Sequence, residues 1–138
     1  IYPINTERSV TKLSGDRVEK RVEHWQGVAI AACEQSGRAV MPVVHNPLTL
    51  VQWLAQHDTQ TSLNILLNPV GAKKLAELPP PTTHIHVLMG PEGGLSANEI
   101  AAATQHHFQS IGLGPRILRT ETAALTAIAS MQTVWGDF

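Results

Sequence analysis

Residues 84–100, HIHVLMGPEGGLSANEI, contain the change of pattern that decides the fold. A strand-like run from His84 to Met89 breaks at Gly90-Pro91-Glu92-Gly93-Gly94, and Ser96 and Glu99 follow at the spacing of a capping box. In such a box the serine hydroxyl accepts from the glutamate backbone N–H while the carboxylate accepts from the serine backbone N–H, so a helix begins there. The spacing predicts a strand over 84–89 and a helix from 97 to about 107. Strand, glycine turn and capped helix in that order form the repeating half of an α/β fold.

The same alternation continues outward in both directions. Upstream, SLNILLNP (62–69) is a continuous apolar run bounded by turn residues, the mark of a strand buried on both faces. GAKKLAEL (71–78) reads as a short helix that Pro79-Pro80-Pro81 cannot continue. Asn46-Pro47 reads as the opening of another helix, Asn as cap and Pro in the first turn, running through Leu50, Trp53 and Leu54 to about His57. AVMPVV (39–44) is a short strand or extended segment, and IYPI (1–4) resembles the tail of a strand. Between them Val18, Val22, Trp25, Val28, Ala29, Ala32 and Cys33 recur at helical spacing. They predict a long amphipathic helix over 17–36, with Asp16 as N-cap and Gly37 as its stop.

Downstream, QSIGLG (109–114) is a further short strand, and Thr120 caps a last helix. That helix carries Ala124, Leu125, Ile128, Met131 and Trp135, apolar over more than one face, and so calls for burial by the domain and by a partner subunit. No repeat or linker interrupts the alternation. The expected fold class is α/β, one domain over residues 1–138, with a mainly parallel sheet and helices on both faces.

Composition excludes several classes of function. The chain of 138 residues is 43% apolar and 15% charged, ordinary values for a globular domain. Ten Lys plus Arg against eleven Asp plus Glu give a net charge of -1, so no global basic field marks a nucleic-acid binder. The lone Cys33 cannot form an internal disulfide and reads as core. Without a secretory segment or long apolar span, the expectation is a cytoplasmic protein with no membrane partner. His106 and His107 are adjacent and cannot both face one metal, while His84 and His86 share a strand face without a third ligand, so no metal is expected. Trp25, Trp53 and Trp135 lie in helical apolar patterns and read as core.

In open parallel sheets the ligand crevice lies where the chain leaves the carboxyl ends of the strands. Three such exits are rich in Gly and Pro: LLNPVG (66–71), MGPEGG (89–94) and LGPRILRTET (113–122). Each can present fixed backbone groups, or each can simply punctuate a strand end. Neither phosphate-binding glycine fingerprint is present, and Glu92 in the middle of one turn would repel a phosphate. A ligand with an adenine edge, a ribose and a charged, phosphate-free tail fits better, and S-adenosylmethionine answers that description.

MGPEGGLSANEI, followed about twenty residues on by LGPRILRTETAALTAIA, resembles the RsmE-type ribosomal RNA uridine N3-methyltransferases of the SPOUT superfamily. TERSV (6–10) and WQGVAIAACE (25–34) are similar to that family too. The resemblance implies a C-terminal trefoil knot, a rare exception to the rule against threaded chains. It also implies a homodimer, a small-subunit (16S) ribosomal RNA substrate, and S-adenosylmethionine as cofactor. Carried over, cofactor contacts fall on Leu67 and Asn68, on Gly90, Glu92, Gly93 and Gly94, and on Leu113, Gly114, Pro115, Ile117, Leu118, Thr120 and Thr122. The resemblance also implies a domain that begins with a strand-helix unit, preceded by an RNA-binding β-barrel, and the expectation is that both lie outside residues 1–138. The alternative is a non-catalytic α/β dimerisation or RNA-scaffold module of the same fold.

Uridine N3 carries a proton, so methylation there needs a base, or a cation for the charge that spreads over N3 and the carbonyl oxygens. Arg116 and Arg119 are the natural cations, beside the cofactor exit, and Glu121 is the nearest carboxylate. Arg119 and Glu121 can equally hold the loop by pairing with the backbone or each other. Glu92, between Pro and Gly-Gly, reads chiefly as fixing its own turn by accepting backbone N–H bonds.

Overall fold

The computed structural model describes residues 1–10, 15–70, 73–136 and 138. The elements, in chain order, are β1 (Ile4–Asn5), α1 (Asp16–Ser36), β2 (Leu48–Thr49), α2 (Leu50–Gln56), β3 (Leu63–Leu67), a single 3₁₀ turn (Leu75–Glu77), β4 (Ile85–Met89), α3 (Ala97–Gln105), β5 (Gln109–Ile111) and α4 (Thr120–Trp135). The strands pair in parallel throughout, in a three-stranded sheet of order β4-β3-β5 and a two-stranded sheet of β1 and β2. The parallel α/β class expected from the alternation is the observed one.

Side chains of β3 divide the core in two. Leu66 points to the face covered by α2 and α3, where it meets Leu50, Trp53, Leu54, Leu88, Leu95, Ala103 and Phe108. Ile65 points to the other face, against Ile111, Leu78, Met131 and Trp135, so the 3₁₀ turn and α4 cover that side. A strand buried on both faces must be apolar at successive positions, and Ile65 and Leu66 are each 1% exposed. Asn64 is equally buried. Its amide donates to Thr59 O (2.6 Å), and its side-chain oxygen meets Ser62 Oγ (2.8 Å) and His86 Nδ1 (3.0 Å), so no buried amide atom is left unpaired.

Several boundaries differ from the sequence reading. α2 begins at Leu50 rather than at Asn46-Pro47: Thr49 caps it in a capping box with Gln52. The preceding residues go instead to a ladder, with Leu48 paired to Ile4 and its N–H donating to Pro3 O at 3.2 Å. Residue 16 is the first turn of α1, and Gly15 occupies the cap position. Gly37 ends α1 as expected, at φ 70°, with its N–H on Glu34 O and that of Arg38 on Cys33 O, a Schellman closure. Residues 39–44 form no ladder; Gln26 holds them, donating to Pro42 O (3.1 Å) and accepting from Val44 N (2.8 Å). Of GAKKLAEL, residues 71 and 72 lie outside the described residues, Lys73 bridges to Ile111, and one 3₁₀ turn replaces the expected helix. Arg119, not Thr120, is the cap residue of α4, and no side chain caps it.

Cys33 is buried, and Trp53 is core. Trp135 packs half-buried on the second cluster, whereas Trp25 is half-buried beneath the Arg21 guanidinium, 5.9 Å from its ring. No helix among the described residues is long and apolar enough to cross a membrane.

Candidate functional site

The parallel pairing brings the carboxyl ends of β3, β4 and β5 to one edge of the sheet, with Leu67 in register with Met89 and with Ile111. A cavity of about 310 Å³ lies there, within the range of small-molecule sites. From the first exit, Leu67 and Asn68 line it; from the second, Gly90, Glu92 and Gly94; from the third, Leu113, Gly114, Arg116, Ile117, Leu118 and Thr120. Gly93, Pro115, Arg119, Glu121 and Thr122 are not on its wall. Arg119 is exposed at the cap of α4, where its carbonyl accepts from Ala123 N at 2.8 Å, and Glu121 is exposed in the first turn. Gly71, at the end of the first exit, lies outside the described residues.

The glycine turn is built by backbone geometry. Gly94 N–H donates to Pro91 O at 2.7 Å, and Gly94 itself sits at φ 70°, where a side chain is strained. Gly90 is needed for a different reason. A Cβ there would lie 2.9 Å from Leu95 N and 3.0 Å from Gly94 C, so strand exit and helix entry meet only if residue 90 has no side chain. Directly after the turn, Ser96 Oγ accepts from Glu99 N (3.1 Å) and Glu99 Oε2 accepts from Ser96 N (2.8 Å), the expected box. Glu92 departs from its expected role: among the described residues no hydrogen bond reaches its carboxylate, which is exposed on the cavity wall while the Pro91–Gly94 bond closes the turn.

One component, within the family-like stretch TERSV, was given no part in the site from the sequence. The turn Thr6–Ser9 docks on this edge through Arg8, which lines the cavity, and through Glu7 N, which donates to Glu99 Oε1 at 2.9 Å. Arg8 Nη1 donates to Gly93 O (2.9 Å) and Leu95 O (3.4 Å). Arg8 and Arg116 are the cations on the wall and Glu92 the anion, so the cavity suits a ligand of mixed charge better than a polyphosphate. Among the described residues no group of three or more His, Cys, Asp or Glu is placed to hold a metal ion. His86 instead packs edge-on against Trp53, at 4.9 Å between ring centres. Burial lowers its pKa below 6.5, as do the nearby His57 and His84, and Asp58 opposes them.

Fold and site together define a class, an α/β domain with a cavity of small-molecule size at the carboxyl ends of its parallel strands, lined by backbone turns. Residues 1–132 match the model of one family within it, described as the RNA methyltransferase domain, and the chain belongs to that family. It is 33% identical over 118 residues to ribosomal RNA small subunit methyltransferase E of Buchnera aphidicola, covering 86% of this chain and 46% of that protein. Among solved structures it is similar to the same-named enzyme of Neisseria gonorrhoeae bound to S-adenosyl methionine, with a TM-score of 0.92 and 39% identity over 99% of this chain and 55% of that one. A putative methyltransferase from Legionella pneumophila in complex with the same cofactor superposes as closely, with a TM-score of 0.92, 36% identity, and 99% of this chain and 56% of that one covered. The chain thus spans about half the length of the relatives it matches.

Proposed function

We propose that the chain is the S-adenosylmethionine-dependent methyltransferase domain of an enzyme that methylates N3 of a uridine in small-subunit ribosomal RNA. The observation that carries this reading is the convergence of three strand exits on one cavity of about 310 Å³, in a chain that superposes at a TM-score of 0.92 on a relative solved with that cofactor. The residues present fit the group. The exits offer backbone N–H and C=O groups, Leu66, Ile111 and Leu118 give apolar surface, and the wall carries charges of both signs, as suits a cofactor with a zwitterionic amino-acid group.

When bound, S-adenosylmethionine supplies an electrophilic methyl group on a sulfonium. The remaining work falls to the chain. The turn at 90–94 and the loop 113–120 would hold the cofactor beside the uridine, and orientation of this kind supplies roughly 7–11 kcal/mol in well-placed systems. Methylation at N3 requires loss of its proton, and Arg116 on the cavity wall would offset the negative charge that this leaves on the uracil ring. Arg119 and Glu121, exposed next to the lining residues Leu118 and Thr120, would meet the RNA at the mouth, with Glu121 as the group that receives the proton. Gly93, Pro115 and Thr122 are exposed and would contribute as chain neighbours of the lining residues Gly94, Arg116 and Ala123.

Three structural readings belong to the same proposal. The last segment of chain is threaded as a trefoil knot. The chain pairs with a second copy through α4, where Leu125 is 71% and Ile128 56% exposed, an apolar face that a monomer would leave in water. Residues 1–138 form the methyltransferase domain, and in the whole protein an RNA-binding β-barrel and a strand-helix unit accompany it. An apolar cavity of about 250 Å³ between β1 and β4, lined by Ile4, Trp53, Ile85, Val87 and Phe108, is where we place that strand.

The test is incubation of the chain with small ribosomal subunits and methyl-deuterated S-adenosylmethionine, followed by nucleoside mass spectrometry. Deuterated 3-methyluridine is expected. A label on another base would refute the assigned target, and cofactor binding without RNA methylation by the chain joined to its RNA-binding domain would refute the activity.

A further inference from the structure

The turn Thr6–Ser9 is rigid in its own right. Thr6 is buried, its N–H donates to Ser9 Oγ (3.1 Å), the two hydroxyls lie 2.8 Å apart, and Ser9 N–H returns to Thr6 O (3.3 Å). A turn held in this way presents the next groups in fixed directions, and both reach across more than eighty residues of sequence to the glycine turn.

The bonds they make form a closed circuit. Glu7 N–H donates to one oxygen of Glu99, the other oxygen accepts from Ser96 N–H, and Arg8 Nη1 donates to the carbonyls of Gly93 and Leu95. A peptide group is planar, so fixing a carbonyl fixes the N–H that follows it. Arg8 on Gly93 O therefore sets the direction of Gly94 N–H, which reaches Pro91 O, and Arg8 on Leu95 O sets that of Ser96 N–H, which reaches Glu99. The peptide plane between Gly93 and Gly94 and the one between Leu95 and Ser96 are each held from both sides, one directly before Gly94 and one a residue beyond it. Backbone at φ 70° has no side chain of its own to brace it, so the brace is supplied from outside.

We propose that Arg8 is a positioning residue for the cofactor: it acts through the glycine turn, holding residues 93–96 in the shape that forms the second wall of the cavity. This rests on the reading of that cavity as the S-adenosylmethionine seat. Both bonds leave one nitrogen, Nη1, whose two hydrogens are fixed in the guanidinium plane, whereas the hydrogens of a lysine ammonium rotate on a flexible stem and match the charge without the fixed directions.

The test compares the unchanged chain with Arg8→Met, Arg8→Lys and, as a control, Thr49→Ala, which removes the α2 cap on an element outside the cavity wall. Hydrogen bonds to a charged donor are worth enough that their loss weakens cofactor binding by about ten- to hundred-fold. Calorimetry with S-adenosylmethionine, well below the unfolding temperature, is expected to show that loss in Arg8→Met, a partial recovery in Arg8→Lys, and unchanged affinity in Thr49→Ala despite its lower stability. Hydrogen exchange without ligand is expected to show Gly94 and Ser96 amides opening about tenfold faster in Arg8→Met and at the original rate in Thr49→Ala. Unchanged amide exchange in Arg8→Met would overturn the bracing role. Faster exchange with undiminished affinity would overturn the link to the cofactor. Faster exchange in a chain that ignores S-adenosylmethionine altogether would overturn the cofactor assignment and leave the brace standing.

Discussion

Replacing Gly90 by alanine separates a steric requirement from the conformational one usually attributed to glycine. The added Cβ would sit 2.9 Å from Leu95 N, 3.0 Å from Gly94 C and 3.1 Å from Leu95 Cγ. Two of the three obstacles are backbone, so no rotamer change relieves them, and β4 must move away from the start of α3. Overpacking of this kind costs about 1–3 kcal/mol; with backbone on the receiving side we take about 2 kcal/mol. For a chain of this size that lowers the melting temperature by about 6–10 °C. Because the displaced backbone is the cavity wall, restoring its shape on binding weakens S-adenosylmethionine affinity by up to about thirty-fold. The neighbouring glycines calibrate the result. At Gly93 a Cβ meets only Arg8 Cβ at 3.5 Å and Cδ at 3.7 Å, ordinary contacts, so Gly93→Ala is expected to be neutral or stabilising by up to about 1 kcal/mol. At Gly94 there is room but φ is 70°, and alanine there costs about 1–2 kcal/mol. Urea unfolding of the three variants followed by tryptophan fluorescence, with calorimetry on each, gives the order. The reasoning fails if Gly90→Ala unfolds and binds like the unchanged chain, or if Gly93→Ala is the most damaging of the three.

Glu99→Gln keeps the shape of the capping side chain but replaces one accepting oxygen with a donor, so either Glu7 N–H or Ser96 N–H loses its partner at a buried site; a loss of about 1–3 kcal/mol is expected in urea unfolding. Glutamate at both Leu125 and Ile128 is expected to reduce the light-scattering mass from that of two chains to that of one, with the far-ultraviolet helix signal retained. His86, whose pKa is held below 6.5 first by burial and then by His57 and His84, resists a proton that the unfolded chain accepts. Its contribution is complete above that value and is lost as pH falls from the unfolded pKa towards the lower folded one. Melting curves at about pH 7.5 and about pH 5.5 are expected to show a smaller drop in His86→Gln than in the unchanged chain.

What the sequence disclosed depended on how local the determining interactions are. The Ser96–Glu99 box and the apolar run of β3 are complete within a few residues, so their elements could be placed closely. The start of α2 was not, because two local signals competed: Asn46-Pro47 has the residue types of a helix opening, yet Thr49 and Gln52 form the box that is used. What decided between them is the pairing of Leu48 with Ile4, a contact across more than forty residues that no window contains. The 3₁₀ turn at 75–77 failed as a helix for a similar reason, since Lys73 is drawn into a bridge with Ile111. The three exits were legible as glycine and proline clusters, but which of their residues face the cavity was not. Arg8 went unassigned because its partners are Gly93 and Leu95 carbonyls, and backbone acceptors leave no trace in residue type.

The most direct test of the central claim, that three strand exits form a seat for S-adenosylmethionine, is calorimetric titration of the 138-residue chain with that cofactor, with ATP and Gly90→Ala as controls. The account predicts saturable one-site binding of S-adenosylmethionine, markedly weaker in Gly90→Ala, and none of ATP, whose phosphates would face Glu92. Binding of ATP in preference, or no heat with S-adenosylmethionine from a chain whose folding is verified by its unfolding transition, would contradict it.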